Sequence, residues 1–163
     1  MFDLVTAFKV FGDLGITARP VSAEWLWDKP GLGRFLDSIG AIPMRSGRAY
    51  VDTIQRCLAA VDDGDTLLVM PEGRLVPPDE RIDGVGPGHK VLSKIATLAG
   101  VPVVPAALTG TDEFWPHDRS IPRLRAPRVR IRCEFGEPRT YGENHRQNVD
   151  ATIADLRRRL SDR

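Results

Sequence analysis

The chain has 163 residues, 42% of them hydrophobic, enough for one globular domain over 1–163 whose core needs neither disulfides nor a structural metal. Its 23 basic and 22 acidic side chains leave a formal charge of +1, so no overall field calls for nucleic acid. No apolar run approaches the roughly 20 residues of a membrane span, and the first residues lack a basic segment followed by a signal-type apolar stretch, so the expectation is a soluble or peripheral protein.

In chain order, Leu4, Phe8 and Phe11 recur at helical spacing and predict an opening helix with Asp3 near its N-terminus. Arg19 to Trp27 mixes aromatic and β-branched residues and predicts a strand entering a turn at Lys29-Pro30-Gly31, after which Phe35 and Ile39 predict a short helix. Val51, Ile54, Leu58 and Val61 form a second amphipathic stripe that stops at the turn chemistry of Asp62-Asp63-Gly64-Asp65. Thr66 to Met70 predicts a strand whose Leu67-Leu68-Val69-Met70 run suits burial on both faces, as inside a parallel sheet. The stretch from Leu75 to Gly88, about 14 residues rich in Pro, Gly, Asp and Glu, is long for a connector and reads as a mobile lid.

Val91, Leu92, Ile95 and Leu98 predict a helix stopped by Gly100, and Val103 to Leu108 predicts the next strand. Arg128, Arg130 and Arg132 alternate with Val129, Ile131 and Cys133, the period of a half-exposed strand with one basic face. Val149, Ile153, Leu156 and Leu160 close the chain as a helix, whose dipole accounts for Arg157, Arg158 and Arg159 near its end. Strands alternating with helices predict an α/β fold, a mostly parallel or mixed sheet covered by helices, with functional loops at strand ends. Cys57 and Cys133 make no closely spaced ligand or redox motif and suit a reducing cytoplasm as buried free thiols.

Four short blocks stand out by their order. They are Met1-Phe2-Asp3, Gly40-Ala41-Ile42-Pro43-Met44-Arg45, Val69-Met70-Pro71-Glu72-Gly73-Arg74 and Val101-Pro102-Val103-Val104-Pro105. Pro71 ends strand pairing, Gly73 lets backbone approach a ligand, and the loop between them exposes amides beside Glu72. Arg45 and Arg74 offer planar guanidinium groups of the kind that grip phosphate bidentately. Taken alone, Pro-Glu-Gly reads as an ordinary turn and Arg45 as an exposed loop residue. Taken together, from Asp3 to about Pro138, the blocks resemble the glycerolipid acyltransferases, the family of 1-acylglycerol-3-phosphate O-acyltransferase.

That resemblance implies a set of expectations. The family's first block is Asn-His-x-Ser-x-x-Asp, so Asp3 is its aspartate and the histidine, five residues earlier, precedes Met1 along with the strand that leads into the block. The catalytic residue within the chain is then Asp3, and the acceptor's phosphate is held by Arg45, Glu72, Gly73 and Arg74, with Arg74-Leu75-Val76 standing where many relatives have Thr-Arg-Ser. The expected reaction moves a fatty acyl group from an acyl thioester, acyl-CoA or acyl carrier protein, to the free hydroxyl of a lysophosphatidate-like glycerol phosphate in phospholipid synthesis. No metal and no resident cofactor is expected. The partners are a lysophospholipid acceptor, an acyl thioester donor and a membrane surface touched peripherally, without nucleic acid, at a cytoplasmic location on the inner face of the membrane. A start codon placed inside His-x-x-x-x-Asp, with impaired activity of the chain as written, is the expected reason for the missing base. A noncatalytic module that binds lipid phosphate is the alternative.

Other matches fall away on spacing. Gly84 to Lys90 breaks the P-loop pattern, since Asp83 stands where the first glycine belongs and His89 separates Gly88 from Lys90. Asn144-His145 with Asp150 reproduces the His-to-Asp spacing but follows the last predicted strand, where capping of the closing helix explains it. His89 and His117 lack a carboxylate at that spacing and read as surface residues. The arginines from Arg119 to Arg132 suit either anionic lipid or plain solvation.

Overall fold

The computed structural model describes residues 2–70, 72, 78–80, 90–114, 130–140, 152–156 and 158–159. Helix α1 covers Phe2–Asp13, strand β1 Ala18–Ala23, helix α2 Leu32–Ser38, strand β2 Ile42–Met44 and helix α3 Tyr50–Asp62. Strand β3 is Thr66–Val69, helix α4 Lys90–Ala99, strand β4 Ala106–Thr109, the short helix α5 Thr111–Phe114 and strand β5 Arg132–Phe135. Residues 152–156 and 158–159 are helical, with Leu156 buried beside Ala107.

Three strands pair in the order β2-β1-β3, all parallel, and β4 pairs antiparallel with β5. The register sets Ala23 of β1 opposite Met44 of β2, and Val21 of β1 opposite Val69 of β3. All three strands therefore end at one edge. The core of this sheet gathers Val21, Ile42, Ile54, Cys57, Ala60 and Ile95, so α3 and α4 cover it. Gly100, at φ 64, closes α4 by donating its N–H to the Ala96 carbonyl at 3.0 Å.

Helix α1 touches both β1 and α5, and the Phe11 ring meets that of Phe135 at 5.9 Å, so the first helix joins the parallel strands to the antiparallel pair.

Several expectations shift. β1 stops at Ala23 and a 3-10 turn takes over at Glu24–Leu26, so the predicted strand to Trp27 is too long. β3 is half-buried rather than covered on both faces, because it stands at the rim of the described sheet while β1 occupies the middle. In α2 the inward residue is Leu36, at 0% exposure, whereas Phe35 is 50% exposed. α3 buries Thr53, Ile54, Cys57 and Ala60, which turns Val51 outward. β5 begins at Arg132, so Arg130 and Ile131 lie before the strand and Arg132 is the only arginine of the predicted basic face inside it; Arg128 and Val129 lie outside the described residues. Arg158 and Arg159 both pair with Asp155, a local partner that the dipole argument omitted. Of the predicted lid, residues 78–80 form a 3-10 turn and the rest lies outside the described residues, as do His89, His117 and Asn144 to Asp150.

Candidate active site

Parallel strands with short exits collect loop residues at their carboxyl ends, and here two of the ordered blocks bear on that edge. Glu24 follows β1, Arg45 follows β2, and Glu72 follows β3 in a half-buried turn. Since β1 lies between its two neighbours, Glu24 emerges between the Arg45 loop and the Glu72 loop. Asp3 stands in the first turn of α1. The Asp3 side chain, Gly73 and Arg74 lie outside the described residues.

Arg45 is held from three directions. Its backbone N–H donates to the Thr53 hydroxyl at 3.1 Å, and that hydroxyl donates to the Pro43 carbonyl at 2.9 Å, so a fully buried threonine of α3 ties down the end of β2. Its guanidinium donates from Nε to Glu24 Oε1 and from Nη1 to Asp52 Oδ2, each at 2.9 Å. Asp52 also forms an ion pair with Arg56 Nε at 3.0 Å along one turn of α3. Two carboxylates and two guanidinium groups thus make a cluster of zero formal charge. Arg45 keeps about a third of its side chain exposed, so its remaining N–H groups face toward solvent or a ligand.

Arg45 stands in an ordered block, whereas its supports carry no motif: Glu24 falls within a predicted strand, and Asp52 and Thr53 fall within a helix marked only by its apolar stripe. The usable signals were an acid directly after an apolar strand and an Asp-Thr pair in the first turn of a helix, a few residues past the arginine. Cys57, one turn beyond Thr53 on α3, is wholly buried, and burial pushes its thiol up to about 11. The buried part of Cys133 likewise raises its thiol. Both cysteines are free, but only Cys57 is buried as expected; Cys133 is half-buried in strand β5.

Residues 4–109 match the family model for acyltransferases. The chain belongs to the acyltransferase family. A chloroplastic 1-acyl-sn-glycerol-3-phosphate acyltransferase of Brassica napus is 32% identical over 105 residues, which cover 63% of this chain and 29% of the relative. A second chloroplastic protein of that name, from Arabidopsis thaliana, is 29% identical over 105 residues, or 63% of this chain and 28% of the relative. The chain thus spans less than a third of the length of these curated relatives. The crystal structure of the 1-acyl-sn-glycerophosphate acyltransferase PlsC from Thermotoga maritima superposes with a TM-score of 0.63 at 21% identity, over 90% of this chain and 58% of that one. That likeness shows a shared α/β fold. The matched segment contains Arg45 and the Glu72 loop, and it ends with β4, before β5 and the closing helix. Among the described residues no helix is long and apolar enough to cross a membrane.

Proposed function

We propose that this domain transfers a fatty acyl group from an acyl thioester to the free hydroxyl of a lysophosphatidate-like glycerol phosphate. The observation that carries the reading is the convergence of Arg45, Glu24 and the Glu72 turn on one carboxyl edge. The curated relatives named for this acylation support it. Arg45 and the loop from Pro71 to Arg74 bind the acceptor's phosphate, which aligns its hydroxyl for attack. In the mechanism that the family resemblance implies, a histidine of the first block takes the hydroxyl proton and Asp3 orients and charges it. The hydroxyl oxygen attacks the thioester carbonyl, an ester C–O bond forms, the C–S bond breaks, and the proton passes to the departing thiolate. This sequence of steps uses no metal and no resident cofactor. The donor is acyl-CoA or acyl carrier protein, and the acceptor is reached at a membrane surface on the cytoplasmic side.

A version extended to include Asn-His-x-Ser ahead of Met1 provides the test. Thiol release that depends on lysophosphatidate, and that falls at least about 10²-fold in Asp3→Asn, is the expected result. Binding of lysophosphatidate without thiol release in the extended version favours the noncatalytic module instead.

A further inference from the structure

Two carboxylates hold Arg45, and they differ in how firmly each is itself held. Asp52 belongs to the thirteen-residue α3, adjoins the fully buried Thr53 that anchors the Arg45 backbone, and is shared with Arg56. Glu24 sits on a three-residue 3-10 turn that lacks both a side-chain cap and a buried residue, and its side chain is 55% exposed against 42% for Asp52. Glu24 occupies Nε, one arm of the side-on fork that Nε–H and its neighbouring Nη2–H offer to a carboxylate or a phosphate. A bidentate grip on phosphate through that fork requires Glu24 to leave.

We propose that Glu24 is a displaceable stand-in for the acceptor's phosphate, and that Asp52 is a positioning residue that keeps the Arg45 guanidinium aimed at the carboxyl edge while the exchange occurs. This rests on the phosphate-binding role given to Arg45 above. The two acids then have opposite effects. Removing the Glu24 charge relieves a competitor and strengthens phosphate binding. Removing the Asp52 charge releases the guanidinium and frees Arg56, and weakens it. Electrostatic repulsion alone makes a different prediction, because deleting either anion beside a phosphate site should strengthen binding.

The test is equilibrium binding of a short-chain, monomeric lysophosphatidate to the full chain and to Glu24→Gln, Asp52→Asn and Arg45→Ala, with thermal midpoints measured to verify folding. The expected result is about two- to fivefold tighter binding for Glu24→Gln and about two- to fivefold weaker binding for Asp52→Asn, the range of exposed ion pairs. In the extended, turning-over version Glu24→Gln should lower KM and Asp52→Asn should raise it. If both variants tighten binding, both weaken it, or neither changes it while Arg45→Ala still weakens it, the exchange is overturned and the phosphate role of Arg45 stands. If Arg45→Ala binds as the parent does, the phosphate role fails and the exchange fails with it.

Discussion

The hydroxyl of Thr53 accepts the backbone N–H of Arg45 at 3.1 Å while donating to Pro43 at 2.9 Å, so one buried side chain on α3 fixes where β2 ends and where Arg45 begins. Thr53→Val keeps the shape and removes both bonds, leaving a backbone donor and acceptor short of a partner. The expected cost is about 1–3 kcal/mol of stability, seen as a lower urea midpoint with an unchanged slope. Thr53→Ser, which retains the hydroxyl, should recover most of it.

Cys57 gives a pH signature. Its folded thiol is pushed up to about 11 from an ordinary 9.0, so the folded state holds a proton that the unfolded chain releases first. The stabilisation is fully present below about pH 9 and is lost as pH rises toward 11, with Cys133 and Tyr50, both shifted upward, acting in the same direction. Denaturant titrations across that window should show falling stability, and Cys57→Ala should flatten the fall. Native protein at neutral pH should leave Cys57 unlabelled by a thiol reagent that reacts on unfolding.

Glycine substitutions separate steric from conformational cost. Gly110 and Gly100 both have positive φ, but a Cβ on Gly110 would clash with the Arg130 carbonyl oxygen, whereas one on Gly100 meets nothing within 4 Å. Gly100→Ala should cost about 1 kcal/mol. Gly110→Ala adds a backbone clash of about 1–3 kcal/mol and displaces the approach to Arg132, which pairs with Thr109. Amide exchange in β4 and β5 should rise in Gly110→Ala and stay unchanged in Gly100→Ala.

Long periodic segments were legible before any coordinates. The helices at Phe2–Asp13, Tyr50–Asp62 and Lys90–Ala99 and the strand at Thr66–Val69 follow from spacing and turn chemistry. β2 escaped because three residues with a central proline carry too little pattern, and Pro43 is tolerated there since β2 stands at the edge of the described sheet. The start of β5 was misread because alternation of charge does not set register, which comes instead from pairing Ala106 to Thr109 against Phe135 to Arg132. Thr53 was passed over because a polar residue flanked by Val51 and Ile54 reads as the outer face of a stripe; its hydroxyl is inside because it has two backbone partners there. Arg45 was found as a motif residue, but Glu24, 21 positions away, becomes its partner only when parallel pairing sets β1 beside β2.

The phosphate role of Arg45 is the claim on which the functional reading depends, and paired ligands test it directly. Binding of a short-chain lysophosphatidate is compared with binding of the matching monoacylglycerol, which lacks the phosphate, for the parent chain, Arg45→Lys and Arg45→Ala. Losing charge-assisted bonds worth about 1.5–3 kcal/mol should weaken lysophosphatidate binding at least about tenfold in Arg45→Ala, with Arg45→Lys in between and monoacylglycerol binding unchanged. Equal losses for both ligands, or no loss for either, would contradict it.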